Sequence, residues 1–361
     1  MEPGSAATIM GYAGICAPNV QSNSDDYYHA ISLQEAGNFI TGATHTCPTV
    51  TALSNNAPVV TGTPGNVTIP GSTPFALTAT STDPDGDPVL YCWEIMDPTW
   101  ASMPPASTNT GGPNFRSFDP TTDPTRYFPN LTDLAAGVSP TWEVLATVNR
   151  SMPFRVSVRD YATGGGCTDH DDIVVTVDAS SGPFVETYPS NTGITFVGNT
   201  NETVTWNVAG TSGGSVSCAN VDIFLSTDGG LTYPTQLANN VPNDGSQSVL
   251  IPNTATTTGR IMVMCENGTF FDISDNDFTI NAATFDYTLG VVPTSVSVCQ
   301  PADATYTINI GSIGGYGDAV TFALSGAPGG TTTIISPSSV IPGSSATMTI
   351  SHTVSATPGI Y

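Results

Sequence analysis

Residues 75–95 read FALTATSTDPDGDPVLYCWEI. In 75–80 Phe75, Leu77 and Ala79 alternate with Ala76, Thr78 and Thr80, and a second run, 89–95, carries Tyr91, Cys92, Trp93 and Ile95. Alternation with a period of two places successive side chains on opposite faces of a pleated strand, where aromatic and β-branched residues pack well. Between the runs lies STDPDGDP, a turn made of Asp, Pro and Gly. Two short strands across a turn predict a mainly β chain.

The pattern continues outward. TWEVLATV (141–148), FRVSVRD (154–160) and DIVVTVD (172–178) extend a first β domain over 58–180. ETVTWNV (202–208), VDIFLSTDGG (221–230), SQSVLIP (246–252), RIMVMCEN (260–267) and FFDISDNDFTI (270–280) make a second over 181–283. FDYTLGVVP (285–293) opens a third, 284–361, which reads as truncated. Strands at this spacing predict tandem immunoglobulin-like or fibronectin-like β-sandwiches. The long stretch 97–140 is expected to hold short strands or to pack over a sheet through Phe115, Phe118, Tyr127 and Phe128.

Asp and Glu outnumber Lys and Arg by 30 to 6, giving a net charge of −24, and every basic residue is arginine. Nucleic acid and anionic membranes need a basic face, so neither is an expected partner. No apolar run reaches membrane-spanning length, so no span is expected. The arginines are expected to pair with nearby aspartates. Seven cysteines without CxxC spacing suit disulfides in an oxidising, extracellular setting. Cys92 is paired with Cys167, and Cys218 with Cys265. Cys16 and Cys47 are left as a pair across a helix, or Cys16 with a partner upstream; Cys299 lacks a mate. The N-terminus has no leader, which together with the cysteines suggests an internal fragment of a secreted protein.

Residues 25–40, DDYYHAISLQEAGNFI, predict a helix, with Ser24 as N-cap and Asp25 and Asp26 in the first turn. Ahead of it TIMGYAG (8–14) is a glycine-bracketed turn, and 46–57 reads as a linker. The stretch 2–40, above all SAATIMGYAGIC, resembles the end of a metzincin zinc-peptidase domain. The nearest likeness is to the reprolysin-like metallopeptidases of secreted, multidomain Bacteroidota proteins. The resemblance covers about a tenth of the chain as peptidase and extends more loosely into the β modules. It implies that 1–45 is the C-terminal remnant of a catalytic domain, with Met10 in the Met-turn and 25–40 as the closing helix. Met10 then floors a zinc site, and Tyr12 stands where a phenol assists zinc or an oxyanion. The implied parent is a zinc-dependent metalloendopeptidase acting on protein or peptide substrates. The HExxHxxGxxH ligand helix is missing, so zinc would be held by upstream residues and this stretch is expected to be inactive alone.

Asp83, Asp85 and Asp87 share one turn, and Asp160 follows a later strand; together they are a candidate calcium cage. His170 among Asp169, Asp171 and Asp172 is a weaker metal candidate than a solvated hairpin tip. Trp100 and Trp142 are candidates for a cell-surface glycan platform. The rival to the peptidase reading is a non-enzymatic adhesin or stalk of tandem sandwiches, stiffened by calcium.

Overall fold

The computed structural model describes residues 1–42, 51–357, 359 and 360. The chain divides into two compact units, 1–281 and 282–361.

The first unit holds two β-sandwiches. In the first, one sheet runs in the order Val67–Pro70, Thr168–Asp178, Arg150–Arg159, Leu90–Ile95. Its edge strand Val67–Pro70 is parallel to Thr168–Asp178, whereas the other pairings are antiparallel. The facing pair is Phe75–Thr78 with Thr125–Phe128, and Val59–Gly62 pairs with Thr80–Thr82. In the second sandwich Thr195–Val197 lies parallel to Phe278–Asn281, which continues through Thr256–Cys265 and Asn220–Ser226 to Thr235–Pro242. Its other sheet is Ser246–Leu250, Asn201–Asn207, Val185–Tyr188. An early strand parallel to the last, in otherwise antiparallel two-sheet packing, is an immunoglobulin-like arrangement. The fold is mainly β, as the alternation predicts.

Trp93, Phe154, Val156, Ile173 and Val175 fill the first core, and Trp206, Ile223, Leu225, Ile261 and Val263 the second; both belong to one continuous apolar cluster. Separate modules are therefore not what forms. Strand Phe75–Thr78 reaches across to the second sandwich: the Ala76 N–H donates to Thr269 O (3.0 Å), and the Phe271 N–H to Pro74 O (3.0 Å). Phe184, fully buried, meets Phe270 edge-on with centroids 5.3 Å apart. A second cluster joins Ala76 of the first sandwich to Met262, Phe271 and Ile273 of the second.

Several expectations need correction. Residues 141–148 form no strand; Glu143 makes one bridge to Phe115 and then turns its carboxylate to Arg126 at 2.8 Å. The 97–140 stretch does hold a short strand, Thr125–Phe128, as expected, and adds the short helix Leu131–Ala135. Phe115 and Phe128 enter the core, Phe118 lies against Arg116 and Arg126, and Tyr127 packs on Phe271. The N-terminal helix covers only Ala30–Thr41, and its N-cap is His29, whose Nδ1 accepts the Ile31 N–H at 3.1 Å. Ser24 and the aspartates precede it, and the Asp25 N–H donates to Ala7 O at 2.8 Å. The expected linker lies partly outside the described residues.

Cys218 and Cys265 form a disulfide, joining the segment before Asn220–Ser226 to the end of Thr256–Cys265. Cys92 and Cys167 do not pair. Cys92 faces Ser157, while Cys167 precedes Thr168, which sits opposite Arg159; strand Arg150–Arg159 separates them. Two inter-strand steps of about 4.8 Å exceed disulfide reach. Cys16 and Cys299 are exposed thiols, and Cys47 lies outside the described residues.

The second unit has one four-stranded antiparallel sheet, Asp286–Val292, Ala304–Ile313, Ser345–Ser351, Thr332–Ser336, and a short pair, Val320–Thr321 with Ser339–Val340. Its small core gathers Ile308, Ile310, Val320, Val340 and Ala346. Among the described residues no helix is long and apolar enough to cross a membrane.

Candidate functional site

The N-terminal segment is fastened by polar side chains. The Glu2 carboxylate accepts the N–H groups of Ala7 (2.9 Å) and Thr8 (3.2 Å) and the Thr8 hydroxyl (2.6 Å). The turn closes through the Gly11 N–H to Thr8 O (2.9 Å) and the Tyr12 N–H to Ser5 O (2.7 Å). Gly14 has φ +76°, and a Cβ there would stand 2.0 Å from Ser22 O, so only glycine fits. The apex of this turn faces outward: Met10 is 65% and Tyr12 63% exposed, with Ile9 and Ile15 beside them. A cavity of about 350 Å³ separates the turn from the helix, lined in part by Glu2, Met10, Tyr12, Cys16, His29 and Glu35.

That lining does not fit zinc. Its one histidine is 1% exposed and spends Nδ1 on the helix cap, whereas a zinc site needs several converging donors. Met10 and Tyr12 thus lie near one another on a turn, with no ligand set around them in the described residues, and no hydrolytic step is derived for this chain.

What the sequence reading missed is the seat beneath the helix. His29 Nε2 lies 3.8 Å from Glu94 Oε1, both side chains buried, and neither atom has a hydrogen-bond partner. Glu94 Oε2 accepts the Ala30 N–H at 2.7 Å. Arg159 donates to Tyr28 O (2.8 Å) and lies over the Tyr27 ring, and Arg155 spans Gln34 Oε1 (2.7 Å) and Asp172 (2.6 Å). Burial lifts Glu94 to about 7 and depresses His29 to about 3. Glu94 falls on the face of the LYCWEI strand opposite the core residues Trp93 and Ile95, where alternation predicts solvent and gives no hint of a covering helix. The partner it serves is 64 residues earlier.

Asp83, Asp85 and Asp87 do converge, with ligand oxygens within 4.8 Å of one another. Much of that convergence is turn chemistry: Asp83 Oδ1 accepts the Asp85 and Asp87 N–H groups at 2.9 and 3.0 Å. Asp85 accepts the Asn56 N–H at 2.6 Å. Asp160 is not part of the cage. Its Oδ1 accepts the Cys167 N–H (2.8 Å) and Ala162 N–H (3.1 Å), and its Oδ2 the Asn55 amide (2.7 Å). Burial alone would raise Asp160; these donors outweigh it and leave the carboxyl below the usual range. His170 is exposed on its hairpin. Asp169 and Asp171 beside it accept the Val60 N–H (2.9 Å) and the Thr63 hydroxyl (2.8 Å).

All six arginines are engaged: Arg126 with Glu143, Arg150 with Asp97, Arg155 with Asp172, Arg260 with Asp277, Arg116 with Asp25 at 3.9 Å, and Arg159 with Tyr28 O. Trp100 is 88% exposed. Trp142 is half-buried against Gly4, so the two do not make one open aromatic row. Trp93 and Trp206 are core.

No family model matches the chain, and no curated protein does. Among solved structures it is similar to the N-terminal Ig1-2 module of the Drosophila receptor protein tyrosine phosphatase DLAR, with 8% identity over 63% of this chain and 98% of that one, TM-score 0.32. It is also similar to the fibronectin(III)-like modules of Clostridium thermocellum CbhA (11% identity, 62% and 93% covered, TM-score 0.21). Drosophila N-cadherin EC1-4 matches at 10% identity, covering 73% of each chain, with TM-score 0.23. Overlaps this slight assign nothing; the fold rests on the strands described above.

Proposed function

We propose that this chain is a non-enzymatic, extracellular β-sandwich support, a stalk or adhesin that carries its N-terminal segment on a fused two-sandwich block. One observation carries the reading: the chemically capable side chains of the first unit are spent on holding parts together. Glu94, Arg155 and Arg159 seat the helix, Glu2 ties the turn, and the arginines are paired. A disulfide, a net charge of −24 and no lysine suit an exported surface. Protein or cell-surface glycan is the partner class, and calcium at Asp83, Asp85 and Asp87 would stiffen the entry to the first sandwich. The test is capture of the purified chain on protein- and glycan-coated surfaces, with a peptide-cleavage assay in added zinc alongside. Binding without cleavage is expected; cleavage that a chelator abolishes would overturn the reading.

A second reading has its own support. The turn 8–14 is tightly fastened, yet it presents Ile9, Met10 and Tyr12 to solvent, with Ile15 just after it, an apolar apex suited to more protein. This favours the metzincin reading: a secreted zinc metalloendopeptidase whose Met-turn is Met10 and whose sandwiches space the catalytic head or hold substrate. In that reading Tyr12 assists zinc or the oxyanion, and zinc is bound by residues outside this sequence. Reading the genomic DNA in frame upstream of the Met1 codon decides it. An HExxHxxGxxH motif within a few dozen codons supports this reading, and a stop codon or only β modules ends it.

A further inference from the structure

The joint between the two sandwiches of the first unit contains a buried carboxylate that the fold does not neutralise. Glu186, on strand Val185–Tyr188, is 1% exposed. Its Oε2 accepts the Ser190 hydroxyl, and its Oε1 has no hydrogen-bond partner. Its own N–H donates to the carboxylate of Asp272, at 2.7 Å, on strand Phe271–Ile273. The Asp272 carboxylate is thus held against the backbone of Glu186, and its charge opposes ionisation of the buried Glu186 side chain.

The place matters. Glu186 lies two residues after Phe184, whose N–H donates to the Thr73 hydroxyl (3.0 Å) in the first sandwich. Asp272 directly follows Phe271, whose N–H donates to Pro74 O. Both carboxylates therefore border the residues that tie one sandwich to the other. Within the second sandwich, Ser190 fastens the same segment, since its hydroxyl accepts the Asp275 N–H (3.2 Å) and its carbonyl accepts the Asn276 amide (2.8 Å).

We propose that Glu186 and Asp272 form a proton-dependent lock on this joint, closed while they hold a proton and loosened as the pair ionises. The charged groups around them do not offer an alternative. Arg260, on Thr256–Cys265, is occupied by Asp277 (2.6 Å) and Ser274 O (3.1 Å). Asp275 adds repulsion. The half-buried Tyr233 and Tyr127 hold their phenol protons, both raised by burial. Tyr188 shares the strand of Glu186, and Glu202, on Asn201–Asn207, is bonded to Thr200.

The direction of the effect follows. Burial raises Glu186 from 4.5 to about 8 and Asp272 from 3.8 to about 7. A raised acid contributes its stability in full below its unfolded value and loses it as pH rises through the folded one. The joint should hold at mildly acidic pH and loosen above neutrality.

Hydrogen exchange of the whole chain tests this, with protection factors corrected for the intrinsic rate, read at Ala76, Phe184 and Phe271. From about pH 5.5 to about pH 8.5 these should fall about tenfold or more in the wild type, at tenfold per pKa unit. In Glu186→Gln the fall should shrink to the share that Asp272 contributes. Asp272→Asn, with its own share of the effect, repeats the comparison should the first variant fail to fold. Equal pH dependence in wild type and variants would overturn the proposal. Recovery of protection at the alkaline end by millimolar calcium in the wild type but not in Glu186→Gln would also overturn it, because the pair would then be a cation site.

Discussion

At the scale of single residues, the N-terminal segment depends on Glu94. Glu94→Ala would leave the Ala30 N–H without its acceptor and remove the group facing His29. A buried donor stripped of its partner costs about 1–3 kcal/mol, so amide protection over 27–34 should fall by one to two orders of magnitude, read by hydrogen exchange. The pH dependence has two arms. Glu94, raised from 4.5 to about 7, contributes fully below 4.5 and loses its share as pH rises through about 7. His29, lowered from 6.5 to about 3, contributes fully above 6.5 and loses its share as pH falls toward about 3. Between 4.5 and 6.5 the two trends oppose one another. Protection should therefore be nearly level in that window and drop on its acid side. A steady rise toward low pH would contradict the buried contact.

At the scale of elements, the Cys218–Cys265 disulfide closes a loop with a sequence separation of 47. Cys218→Ser should destabilise the second sandwich by about 4 kcal/mol, measured as a lower denaturant midpoint that reductant no longer changes. The strands were legible where alternation was strong. FRVSVR, DIVVTVD and RIMVMCEN lie within Arg150–Arg159, Thr168–Asp178 and the strand ending at Cys265 with its following turn, because each carries one apolar face toward a core. TWEVLATV alternates as well, yet Glu143 is drawn to Arg126 and Asn130 and the segment leaves the sheet. The Cys92–Cys167 pairing failed for a related reason: spacing along the chain says nothing of the strand that separates them. The seat of the helix and the Glu186–Asp272 contact were illegible because each joins residues far apart in sequence. A buried Glu also looks like a surface Glu when only its neighbours are known.

At the scale of the molecule, the alternation described sandwiches but not their fusion. Nothing in the sequence marks Thr73, Pro74 and Ala76 as partners of Phe184, Thr269 and Phe271. Gly182 is the visible trace: at φ +101° it brings the chain within reach of Gly71, where a Cβ would stand 2.3 Å from the Gly71 carbonyl oxygen. A shared core makes residues 1–281 one body, as the proposed support would require. It also separates this unit from a string of independent beads, in which losing one module leaves the next intact.

The most direct measurement is native-state hydrogen exchange on the whole chain, wild type against Phe184→Ala, following strands Arg150–Arg159 and Thr256–Cys265. Truncating a buried phenylalanine costs about 3–5 kcal/mol. With one fused core, both strands lose protection together and by the same free energy. Loss confined to one sandwich, with the other unchanged, would contradict the fused block.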